Sequence, residues 1–353
     1  MNIKNKLHVS LGKDSYDIFI GEDLLINTAT IIKDVISPCK AFIISDTTVA
    51  PIYLQMVEKS LENAGFSTAA HIFPAGEEYK TIDTVINMVQ DMADEQLSRT
   101  DCVFALGGGV TGDMAGFASA MYMRGIDFVQ ISTSLLSDID SSVGGKTGCD
   151  LENGKNLVGA FHQPKCVIID TNTLDTLSEH FISDGMGEMI KYGVIKSESL
   201  FDKLITNTFS DIKDEAIFEC VDIKREMVEN DQFEHGERKL LNFGHTLGHA
   251  IEKHYNFTTY SHGQAITIGM VIMAKAAENN GLCEKGVADK IVALAKKYNL
   301  PYECDADINE LLKIAVNDKK RRGEYIDIVL PKCIGTAFVH TVKIDDLPSF
   351  FGV

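Results

Sequence analysis

The chain is short of positive charge: 33 Lys and Arg stand against 51 Asp and Glu, a formal net charge of -18 at pH 7. That balance argues against non-specific nucleic-acid binding and against docking on an acidic membrane, because both need a basic surface that releases counterions. No run approaches the roughly 20 apolar residues that span a bilayer, and the N-terminus, which alternates Lys with apolar residues, lacks the apolar core of a signal peptide. Paired cysteine spacing is missing as well. The 8 cysteines are scattered, which reads as reduced thiols in a cytosolic protein and shows no Cys metal site. Internal repeats and low-complexity tracts are also lacking. The expectation is a soluble, cytoplasmic, globular protein in which any anionic ligand must meet a local basic cluster.

A length of 353 residues suggests about two domains. In the first half, short β-branched runs (Ala41–Ser45, Ala69–Phe73, Cys102–Leu106, Phe128–Ser132, Cys166–Asp170) alternate with helical patterns such as 52–64 and 81–96. This alternation predicts a parallel α/β domain over residues 1–177. From Ser178 to the end at 353 the apolar residues recur at helical spacing, predicting a mostly helical domain closed by a short extended pair at Ile326–Pro331 and Ala337–His340.

Two segments point to phosphate chemistry. After the strand ending at Leu106, Gly107 to Asp113 fits the G-x-G-x-x-G spacing and opens an apolar helix near Ala115. Glycines there let backbone N–H groups and a helix N-terminus approach a pyrophosphate; a tight structural turn is the alternative. The partner for the ribose hydroxyls stays open among Asp127, Asp46 and Glu77. Next, small residues surround Lys146 from Asp138 to Gly148 and again follow at Gly154–Phe161, which suggests either an anion cradle or a solvated loop.

The second half carries the metal signal. His245 and His249 are four residues apart, where a helix stacks them on one face, and His262 follows soon after; neutral imidazoles are the usual ligands of zinc and its relatives. Upstream, Glu188 and Lys191 sit one helical turn apart in an apolar stretch, a spacing whose default reading is a surface ion pair. Lys224 and Glu237-Arg238-Lys239 add positive charge near the histidines in sequence.

Taken in order, Gly108 to Asp113, Asp140 to Thr147, Gly154 to Leu157, Glu188 to Gly193 and Leu241 to Thr246 closely resemble the motifs of the 3-dehydroquinate synthase family, over nearly the whole chain. The resemblance implies an N-terminal Rossmann-like NAD-binding domain followed by a helical metal-binding domain, with the active site in the cleft between them. It makes Glu188, His245 and His262 the ligands of one divalent metal, zinc or cobalt, and His249 a neighbouring site residue, which corrects the simple pairing of His245 with His249. It assigns NAD to Asp46, Glu77 and Lys80, to Gly109, Val110, Thr111, Gly112 and Asp113 at the phosphates, and to Thr133, Ser134, Lys146, Lys155, Thr173 and Thr176. Catalytic and substrate-binding positions fall to Asp140, Lys146, Asn156, Lys191, Lys224, Arg238, Asn242, His249 and Lys332. Arg124 corresponds to a residue that crosses a dimer interface to the substrate phosphate, so a homodimer is implied.

The reaction implied is the conversion of 3-deoxy-D-arabino-heptulosonate 7-phosphate to 3-dehydroquinate and phosphate, a step of aromatic amino acid biosynthesis. In that chemistry NAD transiently oxidises a hydroxyl, phosphate is eliminated, the ketone is reduced again, and the ring closes by an intramolecular aldol step. Other sugar-phosphate cyclases, such as 2-deoxy-scyllo-inosose synthase, share the redox-elimination logic; Arg238 and Asn242 favour a substrate with a carboxylate. A polyol dehydrogenase of the glycerol dehydrogenase type shares the two-domain plan but has no need for so many anion-binding residues. Four positions depart from the family pattern: Ser134 where a Thr is usual, Thr173 where an aromatic is common, Phe181 where an acid is expected, and Gln264 in place of Glu.

Overall fold

A computed structural model describes residues 1–152, 154–319 and 323–353. Two compact units emerge: Met1–Leu177 with Lys224–Glu229, and Ser178–Ile223 with Asn230–Val353. The short stretch Lys224–Glu229 belongs with the first unit, which no single cut in the chain can express.

The first unit is built on a seven-stranded sheet in the order β1-β2-β9-β6-β5-β3-β4. Its strands are β1 (Asn2–Val9), β2 (Tyr16–Glu22), β3 (Lys40–Asp46), β4 (Ser67–Phe73), β5 (Cys102–Gly107), β6 (Asp127–Ser132) and β9 (Cys166–Asp170). Only β1 runs antiparallel; the remaining neighbours pair in parallel. Parallel strands are covered on both faces, which is why β5 and β9 read as continuous apolar runs rather than alternating ones, and both are buried throughout. One face packs Leu61 and Val57 of α2 (Ala50–Glu62) and Ile32 of α1 (Thr28–Ile32) against Ile43, Phe104 and Ile168. The other packs Val85 and Met88 of α3 (Ile82–Asp94) and Met114 and Phe117 of α4 (Gly109–Met121) against Phe42, Val103 and Phe128.

Two local readings change. The helix after β5 begins at Gly109, not near Ala115, so Val110, Thr111, Gly112 and Asp113 are already helical. Gly112 lets α4 lie on β6, since a Cβ there would stand 2.1 Å from the Gln130 amide. The small-residue segment around Lys146 is not a loop from Lys146 onward: there it forms the antiparallel hairpin β7 (Lys146–Leu151) and β8 (Gly154–Phe161). Its glycines hid the strand pattern because Gly148 and Gly159 face one another backbone to backbone.

The second unit is mostly helical: α5 (Glu179–Lys196), α6 (Glu198–Thr206), α7 (Phe209–Asn230, whose Lys224–Glu229 stretch lies in the first unit), α8 (His245–His254), α9 (His262–Asn279), α10 (Val287–Lys297), α11 (Ile308–Lys319) and α12 (Leu347–Phe350). The antiparallel hairpin β10 (Tyr325–Cys333) and β11 (Thr336–Lys343) belongs to it. Among the described residues no helix is long and apolar enough to cross a membrane.

Candidate metal centre and anion-binding surfaces

In the second unit, Glu188 projects from the middle of α5, His245 opens α8 and His262 opens α9. Glycines beside the ligands let these helices meet at backbone distance. A Cβ on Gly187 would stand 2.5 Å from the Gly263 carbonyl, and one on Gly263 would stand 1.9 Å from the Asp184 carbonyl. Gly244, at φ +81, adopts a left-handed turn ahead of His245, and its carbonyl lies where a Cβ on Gly269 would stand, 2.2 Å away. The Asp184 carboxylate, one turn before Glu188, accepts the Gly263 N–H at 2.6 Å and so pins the start of α9.

The result is a compact donor set. Glu188 is fully buried, and its Oε1 lies 3.3 Å from His245 Nε2 and 3.4 Å from His262 Nε2. Ligand atoms about 2.0–2.1 Å from a tetrahedral zinc stand about 3.3 Å apart, so these oxygen and nitrogen atoms already span the edges of such a site. Burial pushes the His245 pKa down to about 3, which keeps its imidazole neutral and able to ligate. Burial also opposes charge on His262, but Glu188 and Glu252 outweigh it and raise its pKa to about 10, so this spot attracts a cation. Three protein ligands of N and O type fit one divalent metal with a coordination position left for substrate. His249 stands beside the ligands, its ring centroid 5.4 Å from that of His245 and 6.0 Å from that of His262.

Glu188 and Lys191 do form an ion pair, at 2.5 Å, but both are buried, against the surface pair expected from their spacing. The surface-pair expectation failed because α5 is enclosed over most of its length, from Asp184 to Ile195. Arg238 and Asn242 lie on the 3₁₀ turn Glu237–Asn242. Arg238 is almost fully buried and donates to the Gln232 carbonyl at 2.5 Å, while Asn242 donates to Glu234 at 2.5 Å. Lys332 is exposed on β10, apart from that turn in sequence.

In the first unit the candidate residues for anion binding gather at the C-terminal ends of the parallel strands, where open α/β sheets take ligands. Gly108 is extended and caps α4, and the Gly112 N–H is spent on the Gly108 carbonyl at 3.0 Å. The N–H groups of Gly109, Val110 and Thr111 thus form the first turn, the part of a helix that offers donors to a phosphate. Asp46 ends β3 at this edge; it accepts the Thr48 and Val49 N–H groups and the Thr111 hydroxyl at 3.3 Å. Asp127 starts β6 at the opposite edge, 3.4 Å from Lys165, which removes it as the ribose partner.

Lys80 ties the region together. Its buried ammonium donates to Asp113 at 2.6 Å and to Asn156 at 2.7 Å, and its carbonyl accepts the Asp150 N–H of the β7–β8 hairpin. Burial works against its charge, yet Asp113 and Glu77 raise its pKa above the ordinary lysine value. Lys155 stands 3.4 Å from Glu77. Lys224 donates to the Asp140 carboxylate and carbonyl. Thr133 is buried behind Gly107, and Ser134 accepts the Ser137 N–H at 3.4 Å. Thr173 is buried with its hydroxyl on the Asp170 carbonyl, and the Thr176 hydroxyl meets Tyr53 at 2.6 Å. Lys146 and Arg124 are exposed, Arg124 on a left-handed turn at φ 70 that begins at Met123.

The family model for the 3-dehydroquinate synthase N-terminal domain matches residues 70–184, and that for the C-terminal domain matches residues 185–321. The chain belongs to the 3-dehydroquinate synthase family. A 3-dehydroquinate synthase of Clostridium perfringens is 45% identical over 96% of this chain and 98% of its own, and one of Streptococcus suis is 40% identical over 99% and 100%. Among solved structures, 2-epi-5-epi-valiolone synthase from Streptomyces hygroscopicus, with NAD+ and Zn2+ bound, superposes with a TM-score of 0.87 at 26% identity, covering 97% of both chains. A 2-deoxy-scyllo-inosose synthase shares the fold at a TM-score of 0.86 and 24% identity, over 98% of this chain and 99% of its own. The family thus joins a Rossmann-like α/β unit to a helical unit, and its cofactors are NAD and a divalent metal.

The helix cap explains one departure from the family pattern. Gln264 is the third residue of α9, and its side chain accepts the Ser261 N–H at 3.1 Å. That capping contact is made equally by Glu or Gln. The sequence motifs missed Glu252, Glu234 and Asp184. Glu252 carried a usable signal, since it lies seven residues after His245, two helical turns along the same face.

Proposed function

We propose that this chain catalyses the conversion of 3-deoxy-D-arabino-heptulosonate 7-phosphate to 3-dehydroquinate and phosphate. The observation that carries the reading is the Glu188, His245 and His262 donor set, whose 3.3 and 3.4 Å edges suit a divalent cation, in a chain of this family. When bound, NAD supplies a reversible hydride acceptor and the metal a Lewis acid at the hydroxyl-bearing carbons.

The protein's own residues then have defined tasks. Glu188, His245 and His262 hold the metal, and Lys191, buried beside Glu188, pairs with that carboxylate and presents an ammonium to a substrate anion. Arg238 and Asn242 are oriented by Gln232 and Glu234 and offer planar donors to the substrate carboxylate. His249, which points into the same cluster without being one of its three nearest donors, is placed to move a proton. Asp46, Glu77, Lys80, Lys155, Thr133, Ser134, Thr173, Thr176 and the first turn of α4 hold the dinucleotide, with Lys80 fixing Asp113 and Asn156 in place. Lys146, Lys224, Asn156, Asp140 and Lys332 complete the anion contacts. The enzyme works in the cytoplasm as a homodimer in which Arg124 reaches the partner's substrate; Met123 of the same turn and Met121 at the end of α4 are exposed apolar residues suited to an interface.

Phosphate release and absorbance at the NADH band, followed on chelator-treated protein with NAD and zinc each added or withheld, test the reading. Release that needs both, without net NADH, is the expected outcome. NADH accumulation with simple polyols and no phosphate release would replace this assignment with a dehydrogenase.

A further inference from the structure

The His262 ring lies between two buried carboxylates. Its Nε2 faces Glu188 at 3.4 Å, and its Nδ1 faces Glu252 Oε2 at 3.6 Å, with Glu252 only 2% exposed. Glu252 comes from the second turn of α8 beyond His245, so one helix supplies both a ligand and the group behind another ligand. His249, on the intervening turn, completes a second cluster with Glu252 and His262.

An imidazole that ligates through Nε2 must carry its proton on Nδ1. A buried carboxylate beside Nδ1 selects that tautomer, fixes the ring plane and makes Nε2 a better donor. His245 and His262 are each the first residue of a helix, so neither ring is held by a preceding helical turn. Behind His245 the partner is a backbone oxygen, with Nδ1 3.2 Å from the carbonyl of Phe243. Each histidine of the donor set thus has an oxygen behind its outer nitrogen: a carbonyl for His245 and a carboxylate for His262.

We infer that Glu252 is a positioning residue for the metal, holding His262 in its ligating tautomer and orientation without itself being a ligand. The inference rests on the assignment of Glu188, His245 and His262 as the metal ligands.

The test is zinc affinity by competition with a chromophoric chelator, together with the visible spectrum of the cobalt-substituted protein, for the parent chain and for Glu252→Gln, Glu252→Asp and Glu188→Gln. The expected result is one zinc per chain in the parent, a 10- to 100-fold weaker site in Glu252→Gln at unchanged stoichiometry, and a shifted cobalt band. Glu252→Asp, which keeps the charge but withdraws it by one methylene, should fall between the two and covers the case in which Glu252→Gln does not fold. A parent that binds no zinc, or a Glu188→Gln variant that binds as tightly as the parent, would refute the ligand assignment itself. With those controls as expected, an affinity within threefold of the parent and an unchanged cobalt spectrum in both Glu252 variants would overturn the positioning role. A parent that binds two zinc equivalents, one of them lost in Glu252→Gln, would overturn it as well, since Glu252 would then be a ligand of the second cluster.

Discussion

Replacing Gly263 by Ala tests whether backbone contact between α5 and α9 builds the metal centre. The new methyl would stand 1.9 Å from the Asp184 carbonyl oxygen, and neither partner is a side chain that can swing aside. A Cβ needs about 3.0 Å, so the start of α9 must retreat by about 1 Å. The Gly263 N–H then loses the Asp184 carboxylate, now at 2.6 Å, a charge-assisted bond worth about 1.5–3 kcal/mol. Overpacking adds about 1–3 kcal/mol of destabilisation. His262 is the neighbouring residue and moves with the helix end, which would stretch its 3.4 Å separation from Glu188 past the edge that one ion can bridge. Zinc affinity should fall by about 100-fold or more, equivalent to about 2.7 kcal/mol. Gly187→Ala, whose methyl would stand 2.5 Å from the Gly263 carbonyl, should show the same loss to a smaller degree. Chelator competition reads the affinity, and thermal melts with and without zinc read the stability. A Gly263→Ala protein with affinity within threefold of the parent would show that the glycines do not set the ligand geometry.

Chelation should lower the melting temperature of the parent and leave Glu188→Gln unmoved, because a metal at about 100 times its Kd stabilises by about 2.7 kcal/mol and the variant cannot collect that term; equal chelator shifts in both would refute it. Lys80→Met leaves the half-buried Asp113 without its cation and should cost about 1–3 kcal/mol, with NAD affinity falling alongside; adding Asp113→Leu should restore much of the stability, and a purely additive double variant would contradict the coupling. Asp138 is fully buried, and burial raises its pKa to about 8 from an ordinary 3.8. Above pH 3.8 the unfolded chain has lost this proton while the folded chain keeps it, so stability falls as pH rises from about 4 to about 8, by up to about 1.4 kcal/mol per unit. Asp138→Asn should remove that slope and gain most at pH 8, and an unchanged pH profile of urea unfolding would count against it.

Local patterns made much of this protein legible. The apolar runs that became β3, β5, β6 and β9 announced a parallel sheet because a strand covered on both faces is mostly apolar, with Ser45 of β3 and Gln130 of β6 as buried polar exceptions. The motifs around Gly107, Glu188 and His245 pointed to NAD and a metal because glycine spacing and imidazole spacing are themselves chemical constraints. The β7–β8 hairpin escaped notice, since its glycines serve a backbone-to-backbone contact that leaves no hydrophobic alternation to read.

Sequence by itself showed a metal signal in His245, His249 and His262, and the family resemblance added Glu188 and set His249 aside; Glu252, two turns beyond His245, went unread. Only the tertiary structure decided that Glu188 and Lys191 are buried rather than a surface pair, that Asp127 sits at the wrong end of its strand while Asp46 sits at the right one, and that Glu252 backs His262. The physical reason is the same in each case. Burial, strand direction and a side chain's facing partner depend on which segments meet across tens of residues, and that meeting is enforced by close contacts such as Gly187 on Gly263 that no local pattern encodes.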